Sequence, residues 1–365
     1  MTSDRAKLPP RALVQAVERA RAVLAAAHRR MVPGHVALLE MIAAGWLTQA
    51  IHAAADLGVA DALADGPRDG AELAQIVGAD EDALHRLMRL LISHGIFTRR
   101  RDGRYALTPM ARALRADAEV SLRDASLFFG SKIHRDNWTQ LVQVVRSGEA
   151  VGSTVDGVPL FDYLRTDRET GALFDRAMAS IDDLGREPLL SAYDFGRYRT
   201  LVDVGGGQGV LLTEILRRAP QSRGILFDLP EVVADARVRL AEHGVADRCA
   251  VVAGSFFDTV PEGGDAYLLK HIIHDWPIEQ ATRILRTVRN AMSPRARLLL
   301  IELVLPDDAR PHPSKYIDLE MLVNTGGRER TEAEYRALLA ECGFTLTSVT
   351  TTLSPENVLE AVPAG

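Results

Sequence analysis

The first half of the chain shows apolar and polar residues spaced with the period of helices. Residues 11–31 form an Ala- and Arg-rich amphipathic pattern that predicts one helix. Residues 36–57 are apolar around most of a helical circumference, so a helix there must bury more than one face. Two ways to bury those faces stay open at this stage: the core of its own domain, or a second copy of the chain.

The next segment has the pattern of a winged helix. A short helix ends at Gly78, a second spans about 80–94, and residues 96–98 and 105–108 predict a hairpin. Winged helices often bind DNA, and four arginines in and beside the hairpin favour that interpretation. Three acidic residues at the start of the second helix would repel phosphate. We therefore expect a structural or dimerisation role, with DNA binding as the alternative.

From Leu201 onward, short apolar runs alternate with helical patterns. The gaps between most runs are long enough for crossover helices, which predicts a parallel, doubly wound α/β sheet. The predicted strands are residues 201–204, 224–228, 250–254, 266–270 and 297–305.

The end of the chain breaks this pattern. Residues 345–352 and 357–363 are separated only by Leu-Ser-Pro-Glu, so one of these two strands must run antiparallel to the sheet. The pattern divides the chain into an N-terminal domain at 1–115, a helical connector at 116–198 and a sheet domain at 199–365.

Composition narrows the classes of function. The 365 residues are 47% hydrophobic and 25% charged, as in soluble globular proteins, and the net charge of −6 argues against a strong nucleic-acid binder. With only two cysteines, far apart in the sequence, the chain is not expected to contain a disulfide scaffold or a structural zinc site. The charged N-terminal residues resemble no signal peptide, and no uninterrupted apolar run approaches eighteen residues, so we expect a cytoplasmic protein with no membrane partner.

A glycine-rich turn follows the first predicted strand in the sequence VDVGGGQG. Gly205, Gly207 and Gly209 would let a ligand approach the main chain closely at the carboxyl edge of the sheet. Asp228 ends the second strand, where its carboxylate can accept both hydroxyls of a ribose. We therefore expect a nucleoside ligand at Gly205, Gly207 and Asp228.

The spacing does not match a dinucleotide fingerprint. Counted from Gly205 and Gly207, that motif requires a third glycine where this chain has Val210. A ligand without a pyrophosphate fits better, and S-adenosylmethionine (SAM) is such a ligand.

Histidines and glutamates follow the later strands. In LLKHIIHDWPIEQ, His271 and His274 come directly after the fourth strand, and the position at the carboxyl edge favours function for one of them. Glu302 interrupts the apolar fifth strand, where a carboxylate is costly unless it is paired, and a histidine is a natural partner. Glu329 precedes a helix starting near Thr331, and it could brace the same histidine or be a solvated charge.

These residue types suggest a proton transfer coupled to methyl transfer. The methyl group of SAM is already electrophilic, so the enzyme must align an acceptor oxygen and remove its proton. Histidine is the usual general base at neutral pH, and carboxylates on its other nitrogen would fix the tautomer. The sequence shows no set of three carboxylates at matching strand ends, so we do not expect a catalytic metal.

Taken together, VDVGGGQG, FDLP, HIIHDWPIEQ, IELVLP and GGRERTEAEY resemble the SAM-dependent O-methyltransferases of the plant caffeate/flavonoid type and their bacterial polyketide-tailoring relatives. The resemblance covers nearly the whole chain. It implies a Rossmann-like class I methyltransferase domain, a winged-helix dimerisation domain at 1–115, a connector that contributes to the acceptor pocket, and a homodimer.

The resemblance also implies roles for single residues. His274 is the general base, and Glu302 and Glu329 brace it. The donor contacts it implies are Gly205, Asp228, Leu229, Phe256 and Lys270. Ser255 stands where the family usually has aspartate; it can still form a hydrogen bond to the donor but supplies no carboxylate. The acceptor contacts it implies are Met178, Met321 and Asn324.

We thus expect transfer of methyl from SAM, leaving S-adenosylhomocysteine, to a phenolic hydroxyl of an aromatic small molecule, with no metal. Three alternatives remain open: N-methylation, a diverged hydroxylation or decarboxylation, and a winged-helix transcriptional regulator.

Overall fold

The computed structural model describes residues 10–152, 154, 155 and 158–365, which form two compact units. One unit contains a large sheet and comprises residues 185–365 together with 10–14 and 143–152. The other is mainly helical and comprises residues 15–142, 154, 155 and 158–184. The connector expected at 116–198 is therefore divided between them, with 116–142 in the helical unit and 185–198 in the sheet unit.

The helices of the described residues, in chain order, are α1 Arg11–Arg30, α2 Gly34–Asp56, α3 Val59–Ala62, α4 Gly70–Val77, α5 Glu81–Ser93, α6 Pro109–Arg112, α7 Arg123–Phe129, α8 Lys132–Thr139, α9 Leu141–Ser147, α10 Leu160–Thr166, α11 Arg168–Ala192, α12 Val210–Arg218, α13 Ala236–Glu242, α14 Ile278–Ala291, α15 Pro313–Asn324 and α16 Glu332–Glu341.

The strands of the same residues are β1 Phe97–Arg99, β2 Tyr105–Leu107, β3 Thr154–Val155, β4 Val158–Pro159, β5 Thr200–Val204, β6 Arg223–Asp228, β7 Cys249–Ala253, β8 Ala266–Lys270, β9 Arg297–Leu305, β10 Arg330–Thr331, β11 Phe344–Thr351 and β12 Glu356–Pro363.

The winged-helix pattern is confirmed in the helical unit. Asp80 caps α5 by accepting a hydrogen bond from Ala83 N at 2.9 Å, and Gly78 ends α4 in the left-handed conformation. Strands β1 and β2 pair antiparallel, with Phe97 opposite Leu107. The apolar face of α5 is buried between these elements, so this part of the chain has a core of its own.

Helix α2 differs from an ordinary core helix. Five large apolar side chains on it are more than half exposed in the single chain: Leu38, Leu39, Met41, Ile42 and Trp46. By length and composition alone α2 could also span a membrane, although soluble core helices pass the same test. The single chain therefore leaves most of this apolar surface uncovered.

The main sheet has the strand order β11-β12-β9-β8-β5-β6-β7, with β10 beside the end of β9. Strands β5 to β9 pair parallel, whereas β12 pairs antiparallel with both β9 and β11. The predicted parallel sheet and the predicted antiparallel strand near the end of the chain are both confirmed.

Helices cover both faces of this sheet. Alternate residues of β9 enter two different cores: Leu298 and Leu300 pack with α14 and α16, while Leu299 and Ile301 pack with α12 and α13. Burial on both faces explains why the parallel strands read as continuous apolar runs rather than alternating ones.

The order of the strands reverses between β5 and β8, because β6 continues the sheet on one side of β5 and β8 on the other. In open parallel sheets, ligands bind at this reversal, beyond the carboxyl ends of the strands. The turns after β5, β6, β7 and β8 all leave this edge.

Candidate active site

The glycine-rich turn after β5 has a left-handed backbone. Gly205, Gly207 and Gly209 have φ angles of +69°, +59° and +79°, which L side chains rarely adopt. A Cβ at Gly205 would lie 2.6 Å from Ile272 Cδ1, and one at Gly209 would lie 2.9 Å from Leu226 Cδ2. A Cβ at Gly207 would meet no atom within 4 Å. The turn therefore leaves its main chain accessible at Gly207.

Asp228 at the end of β6 is held by this turn. Gly207 N donates a hydrogen bond to Oδ2 at 2.8 Å, and Leu229 N donates to Oδ1 at 2.7 Å. Burial raises the pKa of Asp228, and the two N–H donors oppose that rise. The fixed carboxylate retains further lone pairs with which it can accept ligand hydroxyls.

The loop after β7 carries two aromatic side chains, Phe256 and Phe257, and Trp276 from the segment after β8 packs beside them. The centroids of Phe256 and Phe257 lie 5.0 Å apart, and Trp276 packs edge-on against Phe257 at 4.8 Å. Phe256 also lies beside the glycine turn, since a Cβ at Gly205 would be 3.4 Å from its Cε1. Ser255 Oγ accepts a hydrogen bond from Phe257 N at 3.2 Å, so its own proton is left to donate.

After β8 the chain turns at His271, whose φ of +53° is the single positive value at a non-glycine residue in the described part. Such strain costs about 1–3 kcal/mol and is concentrated at functional sites. The His271 ring stacks on that of His274, with centroids 5.3 Å apart. Glu356 Oε1 lies 3.4 Å from both Lys270 Nζ and His271 Nε2. An ion pair therefore anchors the strained turn to β12.

His274 lies on a short 3-10 helix beyond this turn, and its side chain is buried. Its Nδ1 lies 2.7 Å from Glu329 Oε1 and 3.8 Å from Glu302 Oε2. Glu302 uses its other oxygen, Oε1, to accept a hydrogen bond from Ile273 N at 2.9 Å. Asp275 Oδ1 lies 3.6 Å from Nε2. The structure thus brings the three predicted residues together, with Glu329 bonded to the ring and Glu302 bonded to the loop.

A glycine allows the segment before Glu329 to approach the histidine loop. A Cβ at Gly327 would overlap the carbonyl oxygen of His274. The same carbonyl accepts a hydrogen bond from Arg328 N at 2.9 Å. Only a residue without a side chain permits this contact, so Gly327 determines how closely Glu329 can lie to the imidazole.

Glu329 is also held from the other side. Its backbone N donates to Asp318 Oδ1 on α15 at 2.9 Å, and Arg330 pairs with Val304 in the short parallel strand β10. Helix α16 begins where the sequence predicted a helix start, and Thr331 caps it in a capping box with Glu334. The carboxylate of Glu329 is therefore on a rigid segment.

Neighbouring carboxylates control the protonation of His274. Burial alone would lower its pKa, but Glu302, Asp275 and Glu329 outweigh burial and raise the pKa to about 10. Burial raises the pKa of Glu302 to about 7, an effect that His274 opposes and Glu329 increases. In the free protein the cluster therefore holds a proton on the imidazole at neutral pH.

The three acceptor residues implied by the resemblance lie in both units. Met321 and Asn324 lie three residues apart on α15, so they share one face of the helix that leads to Glu329. Asn324 Nδ2 donates to Glu320 Oε1 at 2.8 Å. Met178 is half-buried on α11 in the helical unit.

Sequence analysis did not identify three residues of this region. Gly327 gave no signal beyond a turn. Arg330 was not singled out because arginine is usually exposed, and Glu356 because it falls in the short link before the last strand. Only the contacts in the folded chain reveal that all three support the histidine loop.

Histidine and glutamate are common metal ligands, and one donor atom each of His274, Glu302 and Glu329 lies within 4.8 Å of the others. The distance of 2.7 Å from Nδ1 to Glu329 Oε1 is that of a hydrogen bond, so a proton lies between these atoms. That proton occupies the nitrogen that a metal would need. The geometry fits acid–base chemistry better than metal ligation.

Comparison with protein families gives two matches. An O-methyltransferase domain matches residues 138–345, and an O-methyltransferase dimerisation domain matches residues 39–117. The chain belongs to the SAM-dependent O-methyltransferase family. The sequence-based predictions of this family, of its fold class and of SAM as methyl donor are thereby confirmed.

Relatives of this methyltransferase act on aromatic compounds in bacteria. A phenazine O-methyltransferase of Lysobacter antibioticus is 40% identical over 91% of this chain and 97% of its own length. An 8-amino-8-demethylriboflavin N,N-dimethyltransferase of Streptomyces davaonensis is 35% identical over 81% of this chain and 88% of its own. The family thus includes both oxygen and nitrogen acceptors.

A solved structure similar to this methyltransferase contains a methyl donor together with an aromatic acid. It is an O-methyltransferase from neocarzinostatin biosynthesis in complex with SAM and 2-hydroxy-5-methyl naphthoic acid. The TM-score is 0.74 at 31% identity, with 87% of this chain and 96% of that chain covered.

The donor edge of this methyltransferase fits SAM. The open main chain at Gly207 allows a ligand to approach closely, and the fixed carboxylate of Asp228 can accept its hydroxyls. Phe256 adds an apolar ring beside the turn. Lys270 belongs to the same edge, but its ammonium group is paired with Glu356.

Proposed function

We propose that this methyltransferase acts on a phenolic hydroxyl of an aromatic small molecule and that His274 is its general base. The main observation in support is the buried hydrogen bond between His274 Nδ1 and Glu329 Oε1. Because this bond places the proton on Nδ1, the lone pair of Nε2 is left to accept a proton from the acceptor.

SAM supplies an electrophilic methyl group on a sulfonium. We assign the donor site to the glycine turn and the loops beside it, and its residues are Gly205, Gly207, Asp228, Leu229, Ser255, Phe256 and Lys270. In this proposal Asp228 accepts from the ribose hydroxyls and Gly207 allows close contact with the main chain. Ser255 offers one hydroxyl donor and no negative charge, so its contribution to donor affinity is smaller than a carboxylate's.

The proton must leave His274 before it can act as a base, since its pKa is raised to about 10 in the free protein. A sulfonium bound at the same edge disfavours a neighbouring imidazolium. We therefore infer that donor binding lowers the pKa of His274. Glu329 keeps the ring oriented, and Glu302 keeps the loop in place, while Nε2 takes up the hydroxyl proton.

The acceptor class is supported by relatives whose names refer to phenazine, naphthoate and riboflavin compounds. We propose Met178, Met321 and Asn324 as acceptor contacts. Two thioether side chains suit the flat faces of aromatic rings. The amide of Asn324 supplies a polar contact beside them.

A substrate panel tests the proposal. The protein is incubated with methyl-labelled SAM and hydroxylated phenazines, naphthoates and benzoates, and labelled product is counted. On the best acceptor we expect His274→Ala to lower kcat by about 10²–10⁴-fold with little change in SAM affinity. His243→Ala, at an exposed histidine after α13, is the control and should keep wild-type activity. Unchanged kcat in His274→Ala would remove the base assignment.

N-methylation is the second candidate function, because the 35% identical riboflavin relative is named for it. An aromatic amine needs less help from a base. If an aromatic amine added to the panel is the best acceptor and His274→Ala lowers kcat on it less than about tenfold, this alternative replaces the first.

We also propose that the enzyme is a cytoplasmic homodimer that uses no metal and binds neither nucleic acid nor membrane. The uncovered apolar face of α2 and the match to a dimerisation domain support a second copy as its partner. Activity should survive dialysis against a chelator, and loss of activity with recovery on adding a divalent cation would contradict the metal-free proposal.

A further inference from the structure

Arg330 is a buried cation immediately behind the glutamate–histidine cluster. It is 2% exposed, and in the described part of the chain no carboxylate lies within ion-pair distance of its guanidinium. Nη1 donates to the carbonyls of Arg328 at 3.1 Å and Ile273 at 3.3 Å, while buried Nη2 has no hydrogen-bond partner. An isolated buried charge is costly, so carboxylates slightly farther away would add to the stabilisation that the two carbonyls and the Tyr335 ring provide.

Glu302 and Glu329 are two carboxylates that act on the same tyrosine, Tyr335, as Arg330 does. Both are fully buried, and each leaves one oxygen, Oε2, without a hydrogen bond. Tyr335 shows that they share surroundings with Arg330: burial raises its pKa, Glu302 and Glu329 raise it further, and Arg330 lowers it. The Arg330 guanidinium also lies 5.8 Å from the centroid of the Tyr335 ring.

The hydrogen bond to Ile273 has a mechanical consequence. Ile273 N donates to Glu302 Oε1, and Ile273 O accepts from Arg330 Nη1. The residue immediately before His274 is thus fixed at both its backbone polar groups. Arg330 and Glu302 together hold the backbone of Ile273, which sets the position of the His274 side chain.

We propose that Arg330 is a positioning residue for methyl transfer, because it offsets the charge of the glutamate pair and fixes the peptide before His274. This inference rests on the proposed role of His274 as base. The ionisable groups around the imidazole within the sheet unit are Asp275, His271, Glu302, Glu329, Tyr335 and Arg330, and the Lys270–Glu356 ion pair lies beside His271. The Lys270 ammonium is paired with Glu356, whereas the Arg330 guanidinium has no carboxylate within ion-pair distance in the described residues.

Loss of the Arg330 charge would raise the pKa of His274. With Arg330 replaced by a neutral residue, the carboxylates would hold the proton of His274 more tightly, so the imidazole would be a poorer base at neutral pH. Lysine would keep the charge, but its flexible ammonium lacks the fixed plane in which Nη1 faces both carbonyls.

The test is the titration of His274 in the full-length protein, followed by NMR of isotope-labelled histidine and assigned with His274→Gln. Arg330→Met should move the midpoint to higher pH by about one unit. Arg330→Lys should stay within about 0.3 unit of wild type. The matched control is Arg336→Met on α16, whose guanidinium also bonds a backbone carbonyl, that of Leu346. It should leave the midpoint unchanged.

Kinetics on the best panel acceptor provide the second readout. For Arg330→Met we expect kcat to fall by about 10–100-fold at pH 7.5, with the rising limb of the pH–rate profile displaced to higher pH and with SAM affinity within about threefold of wild type. Arg330→Lys should lower kcat less and leave the limb in place.

An unmoved midpoint in Arg330→Met, or equal displacement in Arg336→Met, would overturn the inference. If Arg330→Met does not fold, Arg330→Lys decides: a midpoint displaced by more than about half a unit contradicts the charge role. The proposed function fails separately, through wild-type kcat in His274→Ala. The NMR titration does not depend on that outcome.

Discussion

At the scale of single residues, Glu302 and Glu329 support His274 through different contacts. Glu329 accepts the Nδ1 proton of the ring, whereas Glu302 accepts a backbone N–H of the loop and lies farther from the imidazole. Removing one member of such a buried charged group costs about 3–5 kcal/mol, because its partners are left uncompensated. We therefore expect both to matter for folding as well as for rate.

The stability of the free protein should fall as the pH rises from about 6.5 towards 10. His274 has a folded-state pKa of about 10, above its ordinary 6.5, so its contribution is complete below pH 6.5 and is lost as the pH passes through 10. The raised pKa of Glu302 acts in the same direction between about 4.5 and 7.

The measurement is the Tm of wild type and of His274→Gln by scanning fluorimetry at several pH values. The difference between the two Tm curves cancels the other titrating groups. We expect wild type to lose its advantage with rising pH; a constant difference across the range would contradict the raised pKa.

Asp228→Asn should weaken SAM binding by about 10–100-fold, because a neutral amide is a poorer acceptor for two hydroxyls than a carboxylate. Isothermal titration calorimetry gives the Kd. The control is Asp258→Asn, which alters a carboxylate in the loop after β7 whose side chain is 72% exposed. Equal affinities in wild type and Asp228→Asn would remove the ribose contact.

At the scale of elements, the long strands of the main sheet and their connecting turns were predictable, because period, length and glycine position depend on local sequence. The two-residue strands β3, β4 and β10 were not predicted. The winged helix, the parallel strands and the antiparallel strand near the end all follow from pattern. The contacts of Arg330 and Glu356 with the histidine loop were not predictable, since they join segments 57 or more residues apart. A charged residue in a linker carries no sign of what it will meet.

The resemblance identified His274, Glu302 and Glu329 as one group. Only the structure shows that Glu329 contacts the ring and Glu302 contacts the loop. Sequence spacing cannot distinguish a carboxylate 2.7 Å from Nδ1 from one at 3.8 Å. The same limit applies to Gly327, whose importance depends on a carbonyl that approaches from a different loop.

Gly327→Ala should displace the Glu329 segment or unfold the sheet unit, because the new methyl group would overlap the His274 carbonyl. We expect a loss of stability above about 3 kcal/mol, or a folded protein with kcat reduced by more than tenfold. Urea unfolding and kinetics on the same preparation distinguish these outcomes.

Gly326→Ala is the control for backbone strain alone. Its φ is +76°, but a Cβ would meet nothing closer than Pro277 at 3.5 Å. It should cost about 1 kcal/mol. Similar losses in the two variants would show that the close approach at Gly327 is unimportant.

At the scale of the whole molecule, the chain leaves a large apolar surface on α2. Isolated exposed apolar residues are normal, but five on one helix form a patch typical of an interaction site. The proposed second copy would cover it, and the dimerisation match over residues 39–117 includes these side chains from Leu39 onward.

Ile42→Arg should therefore convert a dimer of twice 39.8 kDa into a monomer, measured by light scattering after size exclusion. An arginine in the middle of an apolar interface is strongly unfavourable. Val238→Arg, at an exposed valine on α13, is the control and should remain dimeric. A monomeric wild type, or a dimeric Ile42→Arg, would contradict the proposed interface.

The position of β12 affects how this molecule can be assembled. It follows every other strand in the sequence, yet it lies between β9 and β11 in the interior of the sheet. Until residues 356–363 are inserted, β9 and β11 each expose an edge of unpaired backbone N–H and C=O groups. A nascent chain still lacking these residues would be a candidate for chaperone binding, because its edges could pair with another chain.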